Sequence, residues 1–230
     1  MIMHDKITHI IFDMDGLLIN TEDLYTEAFN NILTPFGKVY DWGLKIKMMG
    51  MKPDVAAQIV IDELELPLTV DEWKEKFSHQ MKTVFSKTKF LPGAERLVHH
   101  LNKHNIPIAL CSGSSKAAFD AKTSHLGDFF EVFDPRVLCG DDTEVKNGKP
   151  HPDAYLVTMG RFKSQPSKPS DCLVFEDAPN GVKSAISANM RCVMVPDSNM
   201  PKELTQEATL VLNSLLDFKP EIFGLPPFIS

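Results

Sequence analysis

The sequence predicts an α/β protein, in which a Rossmann-like, doubly wound parallel sheet carries an inserted all-α helical domain. Short apolar segments rich in β-branched residues alternate with amphipathic helical patterns over most of the chain. Residues 21–89 interrupt this alternation, and acidic residues come directly after the first apolar segment. Strands that alternate with helices form right-handed crossovers, and these bring parallel strands into one sheet covered by helices on both faces.

The predicted strands are short and apolar, as strands buried on both faces are. Ile7–Phe12 is almost continuously apolar and is typical of a central parallel strand. Four later segments have the same character: Ile106–Cys111, Val137–Cys139, Cys172–Phe175 and Cys192–Val195. Apolar residues three or four positions apart predict the helices between them: Gly93–His104, Ser115–His125, Asp153–Arg161 and Gly181–Ala188.

Residues 21–89 contain helical patterns but no buried strand pattern. The predicted helices are Glu22–Leu33, Asp54–Leu64 and Val70–Ser86, separated by breaks that contain proline. This stretch is too long for a single crossover helix. We therefore predict an inserted helical cap at 21–89 and an α/β catalytic core formed by 1–20 and 90–230.

Composition limits the kind of partner. The chain of 230 residues has a formal net charge of −7 and no long basic run, which argues against a nucleic-acid partner. The N-terminal apolar stretch runs into aspartates, and no segment has the roughly 20 apolar residues of a spanning helix, so we expect no signal peptide and no membrane partner. The four cysteines are widely spaced, which is typical of small buried side chains in a reducing cytoplasm.

Two carboxylates follow the first predicted strand. Asp13 and Asp15 are separated by one residue and are followed by Gly16, which permits a turn. In open α/β sheets, ligands bind in the crevice at the carboxyl ends of the strands. Two charges beside a buried strand are costly without a cation, so this position favours a functional acidic site over a pair of solvated loop acids.

Three further motifs follow in order along the chain. Ser112-Gly113-Ser114 comes after the second predicted strand and offers hydroxyl groups and a turn with backbone N–H groups. Lys149 lies between Gly148 and Pro150, in a loop that ends at Pro152. Glu176-Asp177 follows the fourth strand and precedes a helical pattern. Each motif is modest alone, and together they place polar groups at several strand ends.

The segment FDMDGLLINTE, with the three later motifs in the same order, resembles haloacid dehalogenase-like hydrolases. The resemblance implies a phosphatase in which Asp13 is the nucleophile and forms a phospho-aspartyl intermediate. It implies that Asp15 is the general acid, which protonates the leaving alkoxide and then activates water. Family members that release halide lack this second aspartate, so its presence favours phosphatase chemistry.

The resemblance also implies the groups that bind phosphate and metal. Ser112 and the N–H groups of Gly113 and Ser114 are expected to hold the phosphoryl oxygens, and Lys149 is expected to pair with Asp13 and the phosphate. The implied cofactor is Mg²⁺, which prefers oxygen ligands and commonly takes one or two protein carboxylates. The implied ligands are the carboxylates of Asp13 and Asp177 and the backbone carbonyl of Asp15. Glu176 is either a ligand or an orienting acid.

Within the family, the segments FDMDGLLINTEDLY, AAQIVIDELELP, LVFEDAPNGV and VLNSLLDFKPEIFGLP resemble members that hydrolyse pseudouridine 5′-phosphate, and this resemblance implies that substrate. Sugar- or polyol-phosphate hydrolysis and, in a different class, non-catalytic binding of a phosphorylated metabolite are the alternatives.

A cap is expected to exclude water and to contact the leaving group, with Glu22, Met49, Gly50 and Lys52 as candidates. We expect a cytoplasmic enzyme whose partner is a small phosphorylated metabolite; a monomer suffices, and a homodimer stays open.

Overall fold

Six short strands alternate with helices in the computed structural model, which describes residues 6–48 and 53–228. The strands are β1 (His9–Phe12), β2 (Ile108–Ser112), β3 (Arg136–Leu138), β4 (Cys172–Glu176), β5 (Arg191–Met194) and β6 (Leu210–Val211). The helices are α1 (Thr21–Leu33), α2 (Trp42–Met48), α3 (Pro53–Leu64), α4 (Val70–Val84), α5 (Ala94–Lys103), α6 (Lys116–Thr123), α7 (Asp153–Gly160) and α8 (Pro179–Ser187).

The strands form one parallel sheet in the order β3-β2-β1-β4-β5-β6. β1 lies in the middle, with Phe12 opposite Leu110 of β2 on one side and Phe175 of β4 on the other. The strand order reverses at β1, because β2 and β3 extend the sheet in one direction and β4 to β6 in the other. The predicted doubly wound α/β fold is therefore confirmed, and β1 stands at the point where such sheets bind ligands.

Side chains of β1 alternate between two apolar layers, as the period of two in a strand requires. Ile10 and Phe12 pack in one layer with Leu97 of α5 and Phe119 of α6. Ile11 packs on the opposite face, where Tyr155 of α7 is also buried. Because every residue of β1, β2 and β4 is buried, these three strands are held on both faces, and the loops that follow them start from fixed positions.

Two elements differ from the predictions. β6 has only two residues, of which Val211 is exposed, so its pattern is too short and too little buried to indicate a strand. α2 was not predicted because, of its residues, only Leu44 is buried and the helix is seven residues long. β6 forms by pairing with β5, and α2 contributes Leu44 to the apolar core of its unit, and neither contact is visible in a local pattern.

The chain divides into two compact units, residues 1–20 with 89–230 and residues 21–88. The second unit contains α1 to α4 and has its own apolar core, to which Phe29, Leu33, Val60 and Trp73 contribute. A cap role for this unit stays a prediction, and Met49, Gly50 and Lys52 lie outside the described residues. Within 6–48 and 53–228, every helix is too short or too polar to cross a bilayer.

A capping box begins α4 in the helical unit. The hydroxyl of Thr69 accepts a hydrogen bond from the Glu72 N–H at 3.2 Å, and the Glu72 carboxylate accepts one from the Thr69 N–H at 2.8 Å. These two bonds satisfy donors that the first turn of a helix otherwise leaves without partners.

Replacement of Thr69 with alanine removes this cap, and we expect it to lower the free energy of unfolding by about 1 kcal/mol. Both tryptophans of the chain, Trp42 and Trp73, belong to the helical unit, so tryptophan fluorescence during urea unfolding reports on that unit. Thr83→Ala, at an exposed position inside α4, is the matched control and should be neutral or slightly stabilising. Equal effects of the two substitutions would contradict a capping role for Thr69.

Candidate active site

Three neighbouring strands end in polar residues at the same edge of the sheet. Asp13 follows β1, Ser112 ends β2 and Glu176 ends β4. The backbone N–H of Asp13 donates to the carbonyl oxygen of Phe175 at 3.0 Å, so the residue that carries the carboxylate is still fixed by the sheet ladder. The predicted motifs thus come together through strand pairing rather than through proximity in sequence.

Lys149 joins the first and fourth strands. Its ammonium group lies 2.6 Å from Oδ1 of Asp13 and 2.7 Å from Oε1 of Glu176, and it also donates to the carbonyl oxygen of Cys111 at 3.2 Å. All three acceptors sit at strand ends, and Asp13 and Glu176 are almost completely buried. Lys149 is therefore the cation that holds the two buried carboxylates together.

Burial and charge act against each other at this pair. Burial raises the pKa of Asp13, the Lys149 ammonium lowers it, and the neighbouring Glu176 and Asp15 raise it further, so the net direction is upward. For Lys149, burial acts to lower the pKa, but the carboxylates of Asp13 and Glu176 raise it well above its ordinary value. The charged form of Lys149 is therefore favoured by the two carboxylates that its ammonium group contacts.

Glu176 has hydrogen bonds to both carboxylate oxygens. Oε1 accepts from Lys149 and from the hydroxyl of Tyr155, a completely buried residue of α7. Oε2 accepts from the backbone N–H groups of Asp177 and Ala178 at 3.2 and 3.4 Å. A side chain at Gly181 would place its Cβ 1.9 Å from this carboxylate, so α8 approaches Glu176 this closely only because residue 181 is glycine.

Asp15 has a separate set of donors. Oδ1 accepts from the ammonium of Lys122 at 2.6 Å, and Oδ2 accepts from the hydroxyls of Ser114 and Ser112 at 3.1 and 3.3 Å. The backbone N–H of Ser114, which was predicted to donate to the phosphate, instead donates to the hydroxyl oxygen of Ser112 at 3.1 Å in this structure. Gly113 lies exposed between the two serines.

The sequence did not indicate Lys122 or Tyr155 as site residues. Lys122 lies on the buried face of α6 with Phe119 and Thr123, and Tyr155 lies on the buried face of α7. The sequence does contain a signal for Lys122, because a charged residue on the apolar face of a helix indicates a buried partner. Tyr155 has no such signal, because a tyrosine on an apolar face is ordinary core composition.

The donor set suits a hard divalent cation. Oxygens of Asp13, Glu176 and Asp177 all lie within 4.8 Å of one another. Four carboxylates and two ammonium groups meet at this edge of the sheet: Asp13, Asp15, Glu176, Asp177, Lys122 and Lys149. A divalent cation would offset negative charge at this edge, and oxygen donors are those that Mg²⁺ prefers. The residues therefore fit the predicted cofactor.

Glu22 belongs to the helical unit. It lies in the first turn of α1, and its carboxylate pairs with the ammonium of Lys45 at 2.8 Å. Burial raises the pKa of the nearby Tyr40 hydroxyl, and the negative charge of Glu22 adds to that shift. Glu22 thus has a local partner in its own unit, and its role in substrate binding stays a prediction.

A family model described as "Haloacid dehalogenase-like hydrolase" matches residues 10–195, which include every strand-end residue described above. The chain belongs to the haloacid dehalogenase-like hydrolase family. The predicted family and hydrolase class are thereby confirmed.

This hydrolase has relatives with different named substrates. A probable pseudouridine-5′-phosphatase of Drosophila melanogaster is 46% identical over 97% of this chain and 96% of its own length. A mitochondrial (DL)-glycerol-3-phosphatase of Arabidopsis thaliana is 45% identical over 97% of this chain and 75% of its own length. A crystal structure titled putative β-phosphoglucomutase, from Thermotoga maritima, has a TM-score of 0.73 at 31% identity and covers 95% of this chain and 97% of the other.

The two relatives named as phosphatases support phosphoric monoester hydrolysis as the reaction class. The cytoplasmic location stays a prediction, since one of these relatives is named as mitochondrial.

The contact between Gly181 and Glu176 gives a test of the site. Gly181→Ala forces the Glu176 carboxylate away from Lys149 and Tyr155, and we expect it to lower phosphatase activity about 10- to 100-fold. Gly160→Ala is the matched control, because a Cβ at this position in α7 meets no atom within 4 Å. Wild-type activity in Gly181→Ala, measured on protein whose circular dichroism is unchanged, would show that the position of Glu176 does not matter.

Proposed function

We propose that this hydrolase is a Mg²⁺-dependent phosphatase that cleaves a small phosphate monoester through a covalent intermediate on Asp13. The observation that carries the proposal is the part-buried ion pair between Asp13 and Lys149 at the reversal point of the sheet. A carboxylate held in place beside an ammonium group is ready to approach a phosphate dianion that it would otherwise repel.

In the first proposed step, an Asp13 carboxylate oxygen forms a bond to phosphorus. The bond between phosphorus and the ester oxygen breaks, and its electron pair stays with that oxygen, which takes a proton from Asp15. Lys149 offsets negative charge on Asp13 and on the transferred group. The Ser112 hydroxyl and the N–H of Gly113 are the proposed donors to the phosphoryl oxygens.

In the second proposed step, Asp15 takes a proton from water while the water oxygen bonds to phosphorus. The bond between phosphorus and Asp13 breaks, and the carboxylate of Asp13 is restored with release of inorganic phosphate. Asp15 therefore acts twice, once as acid and once as base. Its position two residues after the nucleophile allows it to face both the leaving group and the incoming water.

Three groups are proposed to hold the cation: the carboxylates of Asp13 and Asp177 and the backbone carbonyl of Asp15. When bound, Mg²⁺ would offset the negative charge of the phosphate that faces these carboxylates. Both oxygens of Glu176 have donors from the protein, which supports an orienting role for Glu176 toward Lys149.

Pseudouridine 5′-phosphate is the proposed substrate, supported by the 46% identity to the relative of that name over nearly the full length of both chains. Glycerol phosphate is the second candidate, because a relative named for that activity is 45% identical. Residues 21–88 are proposed to act as a cap that excludes water and contacts the leaving group, with Glu22 as the candidate contact. The proposed partner is a small phosphorylated metabolite only.

Release of inorganic phosphate from a panel of monoesters tests both substrate and cofactor. The panel contains pseudouridine 5′-phosphate, uridine 5′-phosphate, glycerol 3-phosphate and a hexose phosphate, each with Mg²⁺ and with EDTA. We expect the highest kcat/KM for pseudouridine 5′-phosphate and loss of turnover in EDTA that added Mg²⁺ restores. A preference for glycerol 3-phosphate would select the second candidate, whereas binding of a monoester without turnover would indicate a non-catalytic binding protein.

The nucleophile can be tested by Asp13→Asn, which keeps the shape of the side chain but removes the attacking carboxylate. We expect kcat to fall about 10³-fold or more, and we expect acid-quenched protein to lose the added phosphoryl mass that the wild type shows during turnover. Asp217→Asn, at an exposed position in the same unit, is the control and should retain both signals. Phosphoryl mass on Asp13→Asn would assign the nucleophile to another residue.

A further inference from the structure

Lys122 is a buried lysine that the proposed mechanism does not use. Its side chain is 2% exposed, and its ammonium group lies 2.6 Å from Oδ1 of Asp15 and 2.9 Å from the hydroxyl oxygen of Ser114. Lysine is rarely buried to this degree, because removing its charge from water is costly unless a partner compensates. Here the partner, Asp15, keeps 23% of its side chain exposed at the sheet edge.

The number of hydrogens on each donor distinguishes the roles of Lys122, Ser112 and Ser114. A serine hydroxyl has one hydrogen, so Ser112 cannot donate to Asp15 and to a phosphate at the same time. Ser112 also has the longest bond to Asp15, at 3.3 Å. Ser114 accepts from Lys122 and gives its single hydrogen to Asp15, and Lys122 has three hydrogens, enough for both bonds.

We propose that Lys122 is a positioning residue that fixes the carboxylate of Asp15, directly and through Ser114, while Ser112 changes its partner from Asp15 to the phosphate. This inference rests on the proposed phosphatase function and deepens it. Lys122 donates a charged hydrogen bond to Oδ1 of Asp15. When the Ser112 hydroxyl turns to the phosphate, Oδ2 keeps the hydrogen bond from the neutral Ser114 hydroxyl and is the less strongly bound oxygen. Oδ2 is then the oxygen that exchanges protons with the leaving group and with water.

Both proton transfers depend on this arrangement. Suppose that Lys122 is absent and that the Ser112 hydroxyl donates to the phosphate. Of the three side-chain donors to Asp15 named above, the Ser114 hydroxyl alone would then remain. Ser114 would also lose the hydrogen bond from Lys122 that orients its hydroxyl. The carboxylate could then rotate about its side-chain torsions and spend less time facing the ester oxygen or the water. General acid–base catalysis contributes about 10²- to 10⁴-fold to a rate, so loss of position is expected to cost part of that factor.

Pre-steady-state kinetics with Lys122→Met test the inference, because methionine keeps an unbranched buried chain and removes the ammonium group. With p-nitrophenyl phosphate and Mg²⁺, the leaving group needs no proton, so the first step proceeds and the second step depends on Asp15. We expect a burst of p-nitrophenol equal to the enzyme concentration, followed by turnover about 10- to 100-fold slower than in the wild type. With an alkyl monoester, the first step also needs Asp15, and we expect slow turnover with no burst.

A double-mutant cycle with Asp15→Asn separates positioning from a general structural effect. If Lys122 acts through Asp15, Lys122→Met has no further effect on turnover in the Asp15→Asn protein, and Lys122→Arg recovers part of the activity. Lys103→Met, exposed on α5, is the control and should match the wild type. Circular dichroism and the urea midpoint establish that each variant is folded.

The outcomes separate the inference from the function on which it rests. Unchanged turnover in Lys122→Met, or additive losses in the double mutant, would overturn the positioning role while the wild-type phosphatase activity stands. Should Lys122→Met fail to fold, Lys122→Arg decides, since partial loss with a burst supports positioning and equal loss in both phases contradicts it. No turnover by the wild type on any monoester would overturn the proposed function and the inference together.

Discussion

The constraint on which this structure depends is the concentration of negative charge at one edge of its sheet. Carboxylates of Asp13, Glu176 and Asp177 approach one another within 4.8 Å, and two of them are almost completely buried. Such a group persists only where cations and hydrogen-bond donors surround it. Lys149 bridges Asp13 and Glu176, and the Tyr155 hydroxyl and backbone N–H groups supply further donors to Glu176. The same concentration of carboxylate oxygens explains why the residues fit a divalent cation.

The parallel sheet brings these groups together. β1 lies between β2 and β4, so the loops after three strands that are distant in sequence start side by side. Burial of those strands on both faces fixes where each loop begins. The close approach of α8 to Glu176, which requires glycine at 181, extends the same precision to the helix that follows β4. A site whose geometry must be accurate to a fraction of an ångström is thus built at the ends of fully buried strands.

The site contains two separate ion pairs, Lys149 with Asp13 and Lys122 with Asp15. Lys149 belongs to the group that contains the proposed nucleophile, and Lys122 belongs to the group that contains the proposed acid and base. Relatives named for pseudouridine phosphate and for glycerol phosphate resemble this chain almost equally and over nearly its full length. A shared reaction with different leaving groups is expected when the chemistry resides in the α/β unit and the selection of substrate resides elsewhere. A role in that selection for the helical unit, which has its own apolar core, stays a proposal.

The sequence by itself determined the fold class, five of the six described strands, the positions of Asp13, Asp15, Ser112, Glu176 and Asp177 at strand ends, and the position of Lys149 in the loop before α7, because period and motif order can be read along the chain. Tertiary structure decided the rest. β6 and α2 carry too little buried pattern to predict, and Tyr155 is indistinguishable from a core tyrosine until β4 places Glu176 beside it. Lys122 becomes a partner of Asp15 only when α6 packs on the sheet, 107 residues away along the chain. Distances between charges depend on how strands and helices pack, and no local pattern of residues contains that information.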